Sequence, residues 1–157
     1  MHILLTGGGT GGHVVPNLAI ADALTARSKG VKISYLGSKK GPEKALLERA
    51  GLPFESIATG KLRRYWDWRN FIDPFKILFG FVQAWLKLFR LKPDVLFSKG
   101  GFVAVPVVWA AALHGIPIFI HESDARPGLA TRLSAPFAKR IFLGFEDAKN
   151  GLERWAS

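Results

Sequence analysis

Cysteine is absent from this sequence, which excludes a disulfide framework and any thiolate metal site and fits a reducing compartment. Long hydrophobic runs are missing too. The apolar opening Met1-His2-Ile3-Leu4-Leu5 reaches glycine by Gly7 with no basic stretch before it, so no secretion signal is read there. The uncharged run Ile77–Leu86 falls well below the ~20 residues a membrane-spanning helix requires. Acids are scarce, 12 Asp and Glu against 22 Lys and Arg. No D-x-D carboxylate pair occurs, so nothing in the sequence requires a metal.

What is present is a chain of 157 residues, 48% hydrophobic and 22% charged, enough for one globular domain with a core of its own. Its formal charge of +10 calls for an anionic partner, whether nucleic acid, membrane surface or phosphorylated substrate. The basicity is local. Between Lys61 and Lys92 eight basic residues face only Asp67 and Asp73, which places six of the ten net charges there.

Apolar runs alternate with helical patterns along the chain. Strands are expected at His2–Thr6, Val31–Leu36, Phe54–Ala58, Asp94–Ser98, Pro117–His121 and Arg140–Leu143. Helices are expected near Val15–Ser28, Glu43–Ala50, Pro74–Leu91, Ala104–His114 and Leu129–Phe137, with one more over Phe145–Ser157. This alternation indicates an α/β fold, a Rossmann-like parallel sheet with helices on both faces. Ligands in such sheets bind beyond the carboxyl ends of the strands. The loops after the first, fourth and fifth strands hold the unusual residues.

Five glycines fill six positions in Gly7-Gly8-Gly9-Thr10-Gly11-Gly12, and His13 follows. Glycines between a strand and a helix let a ligand approach the backbone, and the helix terminus favours anions. A dinucleotide reading also wants an acid at the end of the second strand, where Tyr35-Leu36-Gly37-Ser38 has none. A purely structural turn needs fewer glycines. His13 either caps the loop through a backbone hydrogen bond or faces the cleft as a proton acceptor. In Ser98-Lys99-Gly100-Gly101-Phe102 two glycines beside a basic residue suit a diphosphate, or form a simple turn. His121-Glu122-Ser123-Asp124 offers a carboxylate beside a histidine, as acid/base, substrate-orienting or structural groups.

The segment after Asp73-Pro74 reads as a helix of ~27 Å, stopped at Lys92-Pro93. Its polar positions (Lys76, Gly80, Gln83, Lys87, Arg90) share one side. The apolar ones, Phe75, Ile77, Leu78, Phe79, Phe81, Val82, Trp85, Leu86, Leu88 and Phe89, span roughly 220° of arc, where a domain-bound helix needs a stripe somewhat over ~100°. A partner protein is one explanation for the surplus. An interfacial membrane helix fits better, with Tyr65, Trp66, Trp68 and nearby arginines as headgroup anchors. Nucleic acid would waste the aliphatic surface.

Gly8-Gly9-Thr10-Gly11-Gly12-His13-Val14-Val15-Pro16 resembles the first glycine motif of the MurG family of glycosyltransferases. In order and spacing, Leu36-Gly37-Ser38 with Gly41-x-Glu43, Gly100-Gly101-Phe102-Val103, Gly115-Ile116-Pro117 and His121-Glu122-Ser123-Asp124 with Gly128-Leu129 resemble that family's further motifs. The likeness runs along essentially the whole chain. Phe102 stands where tyrosine is frequent, and Asp124 where asparagine is usual. The resemblance implies one half of a GT-B enzyme, with residues 1–157 as the N-terminal acceptor-binding domain and a C-terminal donor-binding domain or subunit outside this chain.

The implied reaction is inverting transfer of N-acetylglucosamine from UDP-N-acetylglucosamine to undecaprenyl-diphosphate-linked muramoyl pentapeptide in peptidoglycan synthesis, without a cofactor. His13 is then the expected catalytic residue, with Thr10, Gly11, Gly12 and Asp124 on the donor side. Gly100, Gly101, Phe102, His121 and Glu122 lie towards the acceptor. Phe75, Lys76, Leu78, Phe79, Phe81, Val82, Trp85, Leu86, Lys87 and Arg90, with Trp66 and Trp68, would meet an anionic membrane at the cytoplasmic face of the bacterial plasma membrane. The alternative is a non-catalytic lipid-carrier-binding subunit of a split glycosyltransferase.

Overall fold

The computed structural model describes residues 1–9, 11–39, 43–60 and 73–155. The strands are β1 (His2–Thr6), β2 (Lys32–Ser38), β3 (Phe54–Ile57), β4 (Val95–Ser98), β5 (Ile118–Glu122) and β6 (Arg140–Leu143). The helices are α1 (Gly11–Arg27), α2 (Glu43–Arg49), α3 (Asp73–Leu91), α4 (Ala104–Leu113) and α5 (Leu129–Ser134). All six strands pair in parallel in the order β3-β2-β1-β4-β5-β6. The expected α/β fold is therefore the one found.

Alternating side chains divide between two cores. Leu4, Leu36, Ile57, Leu96, Ile118 and Ile120 face α3 and α4, whereas Ile3, Leu5, Ile33 and Tyr35 face α1 and α2. Helix α4 is apolar all round and almost wholly buried, as a helix at the centre of a layer must be. Helix α3 inserts the ridge Gly80, Ala84 and Leu88. Its far end is latched by His2, whose Nδ1 lies 3.0 Å from the Leu91 carbonyl and whose Nε2 lies 2.8 Å from Ser34 Oγ.

Two boundaries depart from the sequence reading. Helix α1 starts at Gly11 rather than Val15, so Gly11, Gly12 and His13 form its first turn. Tertiary contacts made by His13 and Asn17 override the poor helical propensity of the glycines. The helix expected over Phe145–Ser157 is corrected to a short 3₁₀ turn, Glu146–Lys149, and further turns up to Trp155. Gly151, at φ +155°, breaks the helical path there.

Candidate active site at the carboxyl edge of the sheet

Strand order reverses between β1 and β4, and the helices that follow them pack on opposite faces. A crevice opens beyond strand ends at such a point. Two glycine loops fill it and lock together. Gly101 has φ +81°, and a Cβ there would lie 2.3 Å from the Gly8 carbonyl oxygen and 3.0 Å from the His13 ring. Gly9 has φ +94°, and a Cβ there would lie 2.1 Å from the Phe102 ring. Neither position admits a side chain. The ring of Phe102, expected towards the acceptor, lies against Gly9 of the first loop.

His13 shows that the two readings of this residue are compatible. Its Nδ1 sits 3.2 Å from the Lys99 carbonyl oxygen. A carbonyl only accepts, so Nδ1 carries the hydrogen in the neutral ring and Nε2 keeps its lone pair. The bond that caps the loop also sets the tautomer a proton acceptor needs. Gly11 and Gly12 stand beside it at the start of α1, and a Cβ on Gly11 would meet nothing within 4 Å.

The first loop is less available to an anion than its composition suggests. Glu43 is fully buried, and its Oε1 accepts the Gly9 backbone N–H at 2.9 Å. Its Oε2 has no partner. The Glu43 side chain therefore fills the Gly8–Gly9 half of the loop and takes the N–H that an anion there would need. The loop base is braced by Asn17, whose amide nitrogen donates to the Thr6 carbonyl at 3.0 Å and to the Tyr35 hydroxyl at 3.1 Å. Tyr35 in turn donates to the Gly7 carbonyl at 2.7 Å. Burial holds this phenol well above its ordinary range, so it stays a neutral donor. In the sequence, Asn17 and Tyr35 carry no signal beyond their place in a helix and a strand.

On the other side of the crevice, Glu122 is turned inward. Its oxygens accept the backbone N–H of Asp124 at 3.0 Å and of Gly128 at 3.2 Å, which holds the β5 loop in shape. His121 has a buried Nδ1 without a partner. Burial first, and then the Lys99 charge, lower it below the usual imidazole range, against the pull of Glu122. Asp124 is exposed and shares a cavity of about 700 Å³ with Arg126, Pro127, Gly128, Leu129 and Arg132. Lys99, a basic residue beside two glycines, is 3% exposed. Gly100 donates its N–H to Ser98 Oγ at 3.2 Å. Thr10, Trp66 and Trp68 lie outside the described residues.

Helix α3 divides its surface three ways. Phe75, Leu78, Phe79, Val82, Trp85, Leu86 and Phe89 are exposed, on an arc of roughly 120° at 100° per residue. Phe81, expected on that face, instead turns towards the core. With Pro74, Ile77, Leu78 and Trp109 it lines an apolar groove of about 350 Å³. The three expected surface cations are engaged within the chain. Lys76 meets Asp73 at 3.1 Å, and Lys87 and Arg90 meet Glu55 at 2.5 and 2.6 Å. No helix among the described residues is long and apolar enough to cross a membrane.

A family model, the glycosyltransferase family 28 N-terminal domain, matches residues 3–143. The chain belongs to this family. It is 49% identical over 97% of its length to a UDP-N-acetylglucosamine–N-acetylmuramyl-(pentapeptide) pyrophosphoryl-undecaprenol N-acetylglucosamine transferase of Bacillus cereus, covering 43% of that protein. It is 52% identical over 93% of its length to the transferase of that name from Clostridium botulinum, covering 40% of it. The family 28 domain thus spans under half the length of these relatives. The crystal structure of Acinetobacter baumannii MurG superposes with a TM-score of 0.78 at 34% identity, over 94% of this chain and 41% of that one. A UDP-GlcNAc 2-epimerase from Neisseria meningitidis, bound to UDP-GlcNAc, shares the fold alone, with TM-score 0.71 and 16% identity over 98% of this chain and 43% of that one. The family 28 fold seen here is one half of the GT-B architecture.

Proposed function

We propose that this chain is the acceptor-side half of an enzyme that transfers N-acetylglucosamine from UDP-N-acetylglucosamine to undecaprenyl-diphosphate-linked muramoyl pentapeptide. The observation that carries the reading is the 49% identity to a transferase of that name over nearly the whole chain. The structural motifs it spans, two interlocked glycine loops at a switch point, agree with it. His13 Nε2 takes the proton of the attacking hydroxyl, while positive backbone dipoles at the strand ends stabilise charge on the diphosphate. The nucleotide sugar is held mainly by a second, C-terminal domain.

The exposed arc of α3 rests on the bilayer and brings a lipid-borne acceptor to the crevice from the cytoplasmic face. Seven exposed apolar side chains on one arc support this. Charge attraction comes from the net +10 of the chain rather than from the paired cations of α3. The test is reconstitution in trans. The purified chain alone should show negligible transfer to a lipid-linked acceptor, and adding the C-terminal half of the Bacillus cereus relative should restore it. Turnover at an ordinary enzymatic rate by the 157-residue chain alone would refute the half-enzyme assignment.

A further inference from the structure

Beyond β5 the rim of the crevice is built by two segments that pack on each other. The loop from β5 to α5 is held by Glu122, which accepts the backbone N–H groups of Asp124 and Gly128, and its Pro127 is buried. The turn after Lys149 closes against that loop. A Cβ on Gly151, at φ +155°, would lie 3.4 Å from Arg132 Nη2 and 3.6 Å from Pro127. Two cavities share this wall, one of about 700 Å³ and one of about 470 Å³, and Arg126, Pro127 and Arg132 line both.

Four charged side chains line this space. Asp124 joins the two arginines in the larger cavity, and Asp147 joins them in the smaller one beside Asn150. All four are exposed, yet among the described residues none of them makes an ion pair. Two guanidiniums and two carboxylates balance to zero. A diphosphate would gain both cations there and meet both acids, so the balance disfavours it. A ligand that itself carries carboxylate and ammonium groups meets each with its opposite. Guanidinium is the side chain shaped to take a carboxylate through two parallel N–H bonds. Leu129, 42% exposed, adds an apolar stretch of wall between the charges.

Such a ligand has the chemistry of a peptide. The acceptor proposed above carries a pentapeptide on its sugar, and an arm of that length has to leave the crevice over the rim. We propose that Arg126 and Arg132, with Asp124 and Asp147, form a subsite for the peptide arm of the acceptor, in which the guanidiniums take its carboxylates. This rests on the transferase reading and gives the peptide its place in this chain.

The test is calorimetric titration of the 157-residue chain with three probes. They are N-acetylmuramoyl pentapeptide, the same compound with every carboxylate converted to an amide, and the simple amide of N-acetylmuramic acid, which lacks the arm. The charged peptide should bind about tenfold tighter than either of the others. Arg126→Leu and Arg132→Leu should each weaken it about threefold, and the double variant should bring it level with the armless sugar. The same substitutions should leave the affinity for the amidated peptide unchanged, because the coupling they report is gone. Both arginines are exposed, so the variants should melt within about 2 °C of wild type.

Equal affinity for the three probes overturns the subsite, as does full affinity for the charged peptide in the folded double variant. Displacement of the peptide by equimolar inorganic pyrophosphate also overturns it, since the arginines then serve phosphate. A fall of more than about 5 °C in melting temperature for either single variant marks that arginine as structural, with the same consequence. Reconstitution in trans reads the larger assignment separately. Transfer restored alongside equal probe affinities removes the peptide subsite alone, and failure of both removes the transferase reading with it.

Discussion

The two glycine loops that meet at the switch point differ in the side chains packed against them. The β1 loop is closed upon itself, for Glu43 takes its Gly9 N–H and fills the space beside Gly8. On the β4 side Lys99 is buried and, among the described residues, makes no ion pair. One loop is held in shape by a glutamate packed against it, and the other carries a buried lysine beside its glycines. A glycine run therefore announces close backbone approach, and the charges packed against it decide what approaches.

Substitutions can break this contrast, beginning with the severest. Gly101→Ala forces a Cβ into the Gly8 carbonyl at a left-handed φ, and both halves of the crevice should fail together. A loss of at least about 3 kcal/mol in urea denaturation is expected. A loss below about 1 kcal/mol would show that the loops are not interlocked. Glu43→Ala leaves the Gly9 N–H without its acceptor and should cost about 2 kcal/mol. Urea denaturation reads the loss, and an unchanged midpoint would show that Glu43 does not brace the loop.

Acid should act next. His2 and His121 are both held below the ordinary imidazole range, by burial in the first place. The unfolded chain then takes up protons near about pH 6.5 that the folded chain resists. Stability from this source is complete above that pH and declines as pH falls through it. Melting curves from about pH 8 to about pH 5 should show the decline, and a flat or rising profile contradicts it. The smallest effect on stability is expected at Phe79→Glu, within about 0.5 kcal/mol of wild type, since Phe79 is 59% exposed. Binding to phosphatidylglycerol vesicles should nevertheless collapse. Full retention of vesicle binding would remove α3 from the membrane-contact surface.

The succession of strands and helices along the chain was legible because apolar runs and glycine punctuation are local patterns. What stayed hidden was pairing at a distance. Glu43 reaches the Gly9 N–H across 34 positions, and Glu55 gathers Lys87 and Arg90 across 32 and 35. No spacing rule reports such contacts. Burial pushes Glu55 up, yet its bonds to Lys87 and Arg90 prevail and keep it below the usual carboxylate range. A helical wheel marks those cations as a free polar face for the same reason. It likewise placed Phe81 outside, because the wheel cannot know that Trp109 and the core lie on that side.

The meshing of Gly8 with Gly101 limits how such a domain can diversify. A side chain at Gly9 or at Gly101 would displace the other loop, so that part of the crevice wall can change only by paired substitutions. Altered substrate choice must therefore come from single replacements at the exposed rim, where Asp124 and Arg126 stand. Divergent members should differ at those outer positions while the glycine hinge between strands stays the same.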